Sequence, residues 1–165
     1  VVASYIKPLT ARAGGMSWAL MLHPEGLDCD LFVTHAWQEG VYELVGKVLH
    51  SWPQGARHAY ICVLANPQNQ DIGGLISKPS ESPFARSLAA AQWMMVVPNQ
   101  KGSIYQRLWC AYEAYLAYTQ DKVILVARVP SSRIAMASAS ACTAAVALTG
   151  ILAGTMRAYF APAGT

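Results

Sequence analysis

Glu113 stands in a run of aromatic and small apolar residues, Leu108-Trp109-Cys110-Ala111-Tyr112-Glu113-Ala114-Tyr115-Leu116-Ala117, where nothing nearby accounts for a charge. On a helix its neighbours are Trp109 at i−4, Cys110 at i−3, Leu116 at i+3 and Ala117 at i+4, and none is basic. The local ion pair that commonly explains a helical glutamate is therefore missing. A carboxylate on an apolar face must reach a distant cation, gather hydrogen-bond donors, or carry a raised pKa. Groups perturbed in this way favour functional sites; the structural alternative is pairing with Arg86 or Arg107. His35, at the end of the apolar run Asp30-Leu31-Phe32-Val33-Thr34, is the second side chain placed where chemistry could occur. A Cys110–His35 hydrolase is not expected, because Cys110 falls mid-helix rather than at an activating helix N-terminus.

The elements that must position these groups follow from the apolar pattern. Asp30 to Thr34, Ala59 to Leu64, Trp93 to Val97 and Val123 to Ala127 are short, continuous, β-rich runs, the pattern of strands buried on both faces. Between them, Val41, Leu44, Val45, Val48 and Leu49 recur at helical spacing over 41–52, ended by Pro53. A second helix is expected over 83–91, capped by Ser80 or Ser82, and a third over 105–119. Residues 66–79 read as a long structureless connection, which in a compact domain is usually functional. This alternation predicts an α/β fold with a flavodoxin-like parallel sheet, order 2-1-3-4, and helices on both faces. Ligands of such sheets sit beyond the carboxyl ends of the strands, here a crevice lined by 34–40, 65–79 and 98–104.

Three segments are expected: an irregular lead-in at 1–27 with room for one helical turn or two, an α/β domain at 28–129, and an apolar tail at 130–165. Ile134 to Met156 carries no charge, and at ~1.5 Å rise per residue a helix of that length would cross a ~30 Å hydrocarbon core. Gly150 and Gly154 form a GxxxG pair within it. The alternatives are a buried helix of the fold or a weakly apolar tail. Lys122, Arg128 and Arg133 precede the segment and Arg157 alone follows it, so a membrane-associated chain would keep its α/β domain on the cytosolic or equivalent side; otherwise the chain would be cytoplasmic. The opening on Val1 rather than Met suggests a processed chain or a fragment, and 1–27 shows no secretory pattern.

Composition narrows the function. The chain is 54% hydrophobic and 13% charged, which excludes disorder and suits burial against protein or lipid. A net charge of +3 without a Lys/Arg run lacks the electrostatic footprint of a nucleic-acid binder. Cys29, Cys62, Cys110 and Cys142 are too scattered for a zinc site, so no metal is expected and each thiol reads as a small buried group.

Two segments carry a family resemblance. Asp30-Leu31-Phe32-Val33-Thr34-His35-Ala36-Trp37 resembles the first strand and following turn of Toll/interleukin-1 receptor (TIR) domains, where Ser is usual at the position of Thr34. Arg107-Leu108-Trp109-Cys110-Ala111-Tyr112-Glu113 resembles the Arg-x-Trp-Cys-x-x-Glu helix of one TIR-like branch, and Asn66 to Gln70 falls where TIR domains carry the long loop after their second strand. The likeness covers roughly residues 28–127. It implies a sheet whose fifth strand and last helix are missing here, leaving an edge to be covered. It also implies NAD as a substrate rather than a bound cofactor, with Glu113 as the catalytic carboxylate beside the nicotinamide-side ribose. Thr34, His35, Ala36, Asn66 and Trp109 would then bind substrate. Cleavage of the N-glycosidic bond passes through an oxocarbenium-like state that a nearby negative charge stabilises. Many TIR enzymes complete their site by self-association, so a second copy is an implied partner. The alternative from a different class is a non-catalytic TIR-like subunit that docks into a membrane-associated complex.

Overall fold

The computed structural model describes residues 1–38, 40–99 and 102–129, and the apolar segment 134–156 lies outside them. Val1–Val129 forms one compact unit. Along it run α1 (Lys7–Arg12), α2 (Trp18–Leu22), β1 (Leu31–His35), α3 (Val41–His50), β2 (Ala59–Ile61) and α4 (Cys62–Ala65). Then come α5 (Ile72–Leu75), α6 (Pro83–Ala90), β3 (Trp93–Val97), α7 (Leu108–Thr119) and β4 (Val123–Val126). The four strands form an all-parallel sheet in the order β2-β1-β3-β4, as the apolar runs predict. Leu31 pairs with both Ala59 and Trp93, and Trp93 with Val123, so the strands begin level with one another.

Burial explains the order. β1 is buried at every position and β3 at four of five, whereas β4 is largely exposed. One sheet face, with Phe32, Met94 and Val96, packs under Leu88, Ala91, Cys110 and Ala117 of the α6–α7 side. The other face, with Leu31, Val33, Met95 and Val97, packs against Leu44 and Val48 of α3. No fifth strand follows β4 among the described residues, and Val123, Ile124 and Val126 remain 49%, 45% and 61% exposed. None of the described helices is long and apolar enough to cross a membrane.

Several local expectations need correction. The lead-in is mostly helical: a π-helical turn at Val2–Ile6 runs into α1, and Ser17 caps α2 by accepting the Leu20 N–H at 3.2 Å. β2 stops at Ile61, and the apolar Cys62-Val63-Leu64 continues as a helical turn instead of as strand. The connection 66–79 is not structureless, since it contains α5 and leads into a 3₁₀ turn at Pro79–Glu81. On α3 the buried stripe is Leu44, Lys47 and Val48, while Leu49 is exposed and Val45 largely so. Lys47 is drawn inward because its ammonium donates to the Pro98 carbonyl at 2.8 Å and pairs with Glu43 at 2.8 Å. The aromatic helix begins at Leu108, after a separate 3₁₀ turn at Ile104–Gln106. Ser82, fully buried, is the cap of α6, accepting the Ala85 N–H at 3.2 Å, with Pro83 in the first turn where its missing N–H costs nothing.

Candidate active site

β1 and β3 are central neighbours, and the chain leaves them toward opposite sides of the sheet, so a crevice opens past their carboxyl ends. α7 crosses beside this crevice with a hydrophobic surface all round, and it delivers Trp109, Cys110 and Glu113 toward β1. A cavity of about 170 Å³ results, lined by Thr34, His35, Asn66, Arg107, Trp109 and Glu113 among others. Five of the six residues expected at the site thus converge. Ala36 does not reach this cavity; it packs into the core and lines a neighbouring one.

Glu113 is 6% exposed, and no cation lies within 4 Å of it among the described residues. The structural pairing offered by the sequence is therefore not made: Arg86 is on the surface, and Arg107 acts on the carboxyl only through space. Burial pushes the Glu113 pKa up to about 7, against smaller opposing pulls from the Thr34 hydroxyl and the Arg107 charge. The Thr34 hydroxyl is itself buried and faces this carboxyl, yet completes no hydrogen bond of ordinary geometry. An acid poised near neutrality beside an unsatisfied hydroxyl, at the wall of a cavity, is an arrangement that a folded core normally avoids.

The histidine is set up differently. Burial lowers the His35 pKa, and the Arg107 charge adds to that effect, so the ring is neutral at physiological pH. Its Nδ1 lies 3.3 Å from the Ala36 carbonyl and its Nε2 3.5 Å from Cys62 Sγ. A proton on Nδ1 satisfies the carbonyl and leaves Nε2 to accept from the thiol. Burial pushes the Cys62 pKa up to about 12, so that thiol keeps its proton. Cys110 is also raised by burial and directs its sulfur to the His35 carbonyl at 3.8 Å, not to the ring. Neither cysteine is an activated nucleophile.

Asn66 is fixed from two sides. Its Oδ1 accepts from the Tyr60 hydroxyl at 2.9 Å, and its carbonyl accepts from Gln68 Nε2 at 3.0 Å. Next along, Asn69 Nδ2 donates to the Lys7 carbonyl at 2.9 Å and to Thr10 Oγ1 at 2.8 Å. The helical lead-in therefore holds the loop that carries Asn66 and Gln68 over the site. Replacing Asn69 by Ala removes both ties, each worth ~1 kcal/mol. We expect amide exchange over 66–70 to speed up roughly tenfold or more, with the sheet amides unchanged, as read by hydrogen–deuterium exchange mass spectrometry.

Aromatic rings build the remaining wall. Phe32 stacks on Tyr60 at 5.2 Å, Tyr60 meets Phe84 edge-on at 6.0 Å, Phe84 stacks on Trp109 at 5.5 Å, and Trp109 meets Tyr112 at 5.8 Å. Trp109 is thus both part of the packing and a flat surface on the cavity. Trp37 and Gln68, within the expected crevice segments, also line the cavity, and Cys62 joins them from outside those segments. No sequence pattern marks Gln68, whose burial depends on a carbonyl two residues away. Among the described residues no three metal-ligating side chains cluster. Comparison of the chain with protein-family models, with characterised proteins and with solved structures finds no match.

Proposed function

We propose that the cavity at Glu113 is an N-glycosidic cleavage site acting on a nicotinamide dinucleotide. The observation that carries this reading is a buried carboxyl at a cavity wall with no ion pair within 4 Å among the described residues, whose burial pushes its pKa up to about 7. In the reaction the bond between the nicotinamide nitrogen and C1′ breaks, and its electron pair leaves with the ring, which becomes neutral. Positive charge develops on the ribose, where the Glu113 carboxylate stabilises it. Water adds at C1′ and releases a proton, giving nicotinamide and ADP-ribose. Trp109 offers a flat apolar face for the departing ring, and the Thr34 hydroxyl has bonding capacity to spare for a sugar hydroxyl. The likeness of the Arg-x-Trp-Cys-x-x-Glu helix to the TIR-like branch points to the same chemistry.

Because the active form is the carboxylate, kcat/KM should fall about tenfold per pH unit below pH 7 and level off above it. The test is nicotinamide release from NAD by concentrated protein, free and clustered on a surface, beside Glu113→Ala. Turnover lost only in the variant supports the reading; no turnover by either, in both formats, overturns it.

A second reading, a non-catalytic interaction subunit, is favoured by a different observation. Leu108 and Tyr118 of α7 are 85% and 77% exposed, and three of the four β4 residues, Val123, Ile124 and Val126, are exposed. Apolar surface of this kind suits a protein partner, and it would serve either a scaffold or a self-associating enzyme.

A further inference from the structure

A cavity of about 170 Å³ admits one ring-sized group, well short of the space a whole dinucleotide needs. The rest of such a ligand must lie outside it. A second cavity of about 320 Å³ adjoins it at the carboxyl ends of β1 and β3 and shares Arg107 and Trp37 with it as a common wall. This second space is polar, presenting Gln38, Asn99, Ser103 and Gln106, and no acidic side chain lines it among the described residues.

We propose that this cavity is an anion subsite for a phosphate or diphosphate group of the substrate, anchored by Arg107. The proposal rests on the reading of Glu113 above and adds what holds the other end of the ligand.

Arg107 is half-buried and forms no ion pair within 4 Å among the described residues. One guanidinium nitrogen, Nη1, donates to the His35 carbonyl at 3.1 Å, which fixes the group between the cavities and leaves further N–H donors available. A planar donor fork held in place by a single carbonyl is well prepared for bidentate contact with phosphate oxygens. Arg107 is also the N-cap of α7, twelve residues long, and its side chain does not cap the helix. The first turn contains no acidic residue, so no side chain of that turn offsets the positive end of the helix dipole. A further polar group, the Thr34 hydroxyl, faces the adjoining Glu113 cavity rather than this one. It is 2% exposed, without an ordinary hydrogen bond, and opens onto the cavity that Arg107 also lines. A ligand spanning both cavities would meet a polar group at each end: Thr34 and Glu113 at the sugar, Arg107 at the phosphates.

The test uses the full chain, with inorganic pyrophosphate and nicotinamide riboside as probes in calorimetric titrations. Pyrophosphate should bind wild-type protein, and Arg107→Gln should weaken it at least tenfold, with Arg107→Lys recovering part of the loss. Should Arg107→Gln not fold, Gln106→Glu provides a second arm. It places a negative charge at an exposed rim position, and should weaken pyrophosphate severalfold while leaving nicotinamide riboside binding unchanged. No pyrophosphate binding to wild type, or equal binding to wild type and Gln106→Glu, overturns the subsite. The two readings separate cleanly. Pyrophosphate that binds and responds to these variants, with no NAD turnover, removes only the glycohydrolase. NAD turnover that is insensitive to Gln106→Glu, with nicotinamide riboside cleaved as efficiently as NAD, removes only the anion subsite.

Discussion

Glu113→Gln should abolish NAD cleavage and, in the same protein, raise its stability at neutral and alkaline pH. The sign follows from the folded-state pKa, which burial lifts from 4.5 to about 7. A group raised on folding contributes fully below its unfolded pKa, and that contribution is lost as pH rises through the folded value. Below pH 4.5 the carboxyl is protonated in both states, and Gln, its neutral counterpart, changes little. From there to above pH 7 the folded protein must take on a buried charge that the unfolded chain carries freely. The shift corresponds to ~3 kcal/mol at high pH, since each unit is worth ~1.4 kcal/mol. Thermal melts of wild type and variant should therefore nearly coincide at pH 4 and separate by roughly 10 °C at pH 8. A carboxylate locked in a structural ion pair would behave in the opposite way, with Gln destabilising at neutral pH. A stability gain coupled to loss of turnover is the signature of a group retained for chemistry rather than for folding.

Trp109→Ala should cost about 3 kcal/mol of stability, the lower end for a large aromatic because the residue is only partly buried. The loss comes from the ring contact at 5.5 Å with Phe84, which joins α7 to α6, and from the contact at 5.8 Å with Tyr112 along α7 itself. Trp109→Phe keeps an aromatic ring in the stack and should recover most of that loss, while narrowing the flat wall presented to substrate. In urea titrations the Ala variant should unfold at a clearly lower midpoint and the Phe variant close to wild type. If the ring serves only packing, the Phe variant will also match wild type in KM; if it also walls the pocket, KM will rise.

The sheet was legible because buried parallel strands are written as continuous apolar runs, and Leu31 to His35 and Trp93 to Val97 are buried almost throughout. Where the sequence misled, a distant partner decided. Lys47 looks like a solvent-facing residue until the Pro98 carbonyl, 51 positions on, is placed beside it. Cys62-Val63-Leu64 is as apolar as a strand, yet the chain turns there, and Gln68 bonds back to the Cys62 carbonyl at 3.3 Å. The oddity of Glu113 was visible in its helical neighbours, but its lack of an ion pair was not. Pairing with Arg107 was equally consistent with the spacing, and the guanidinium turns out to be bound to the His35 carbonyl instead. The tie from Asn69 to Thr10 joins residues 59 apart and has no local signature. Linear pattern thus reports which faces are buried, while the polar contacts that build a site depend on tertiary approach.

The Glu113 carboxyl is buried, has no ion pair within 4 Å among the described residues, and is expected to titrate near neutrality. Carbon-13 NMR of side-chain carboxyls, with Glu113→Gln used to assign the resonance, measures this directly in the resting protein. A midpoint of about 7 is expected. A midpoint at or below the ordinary glutamate value, as an ion-paired or solvated carboxylate would give, contradicts it.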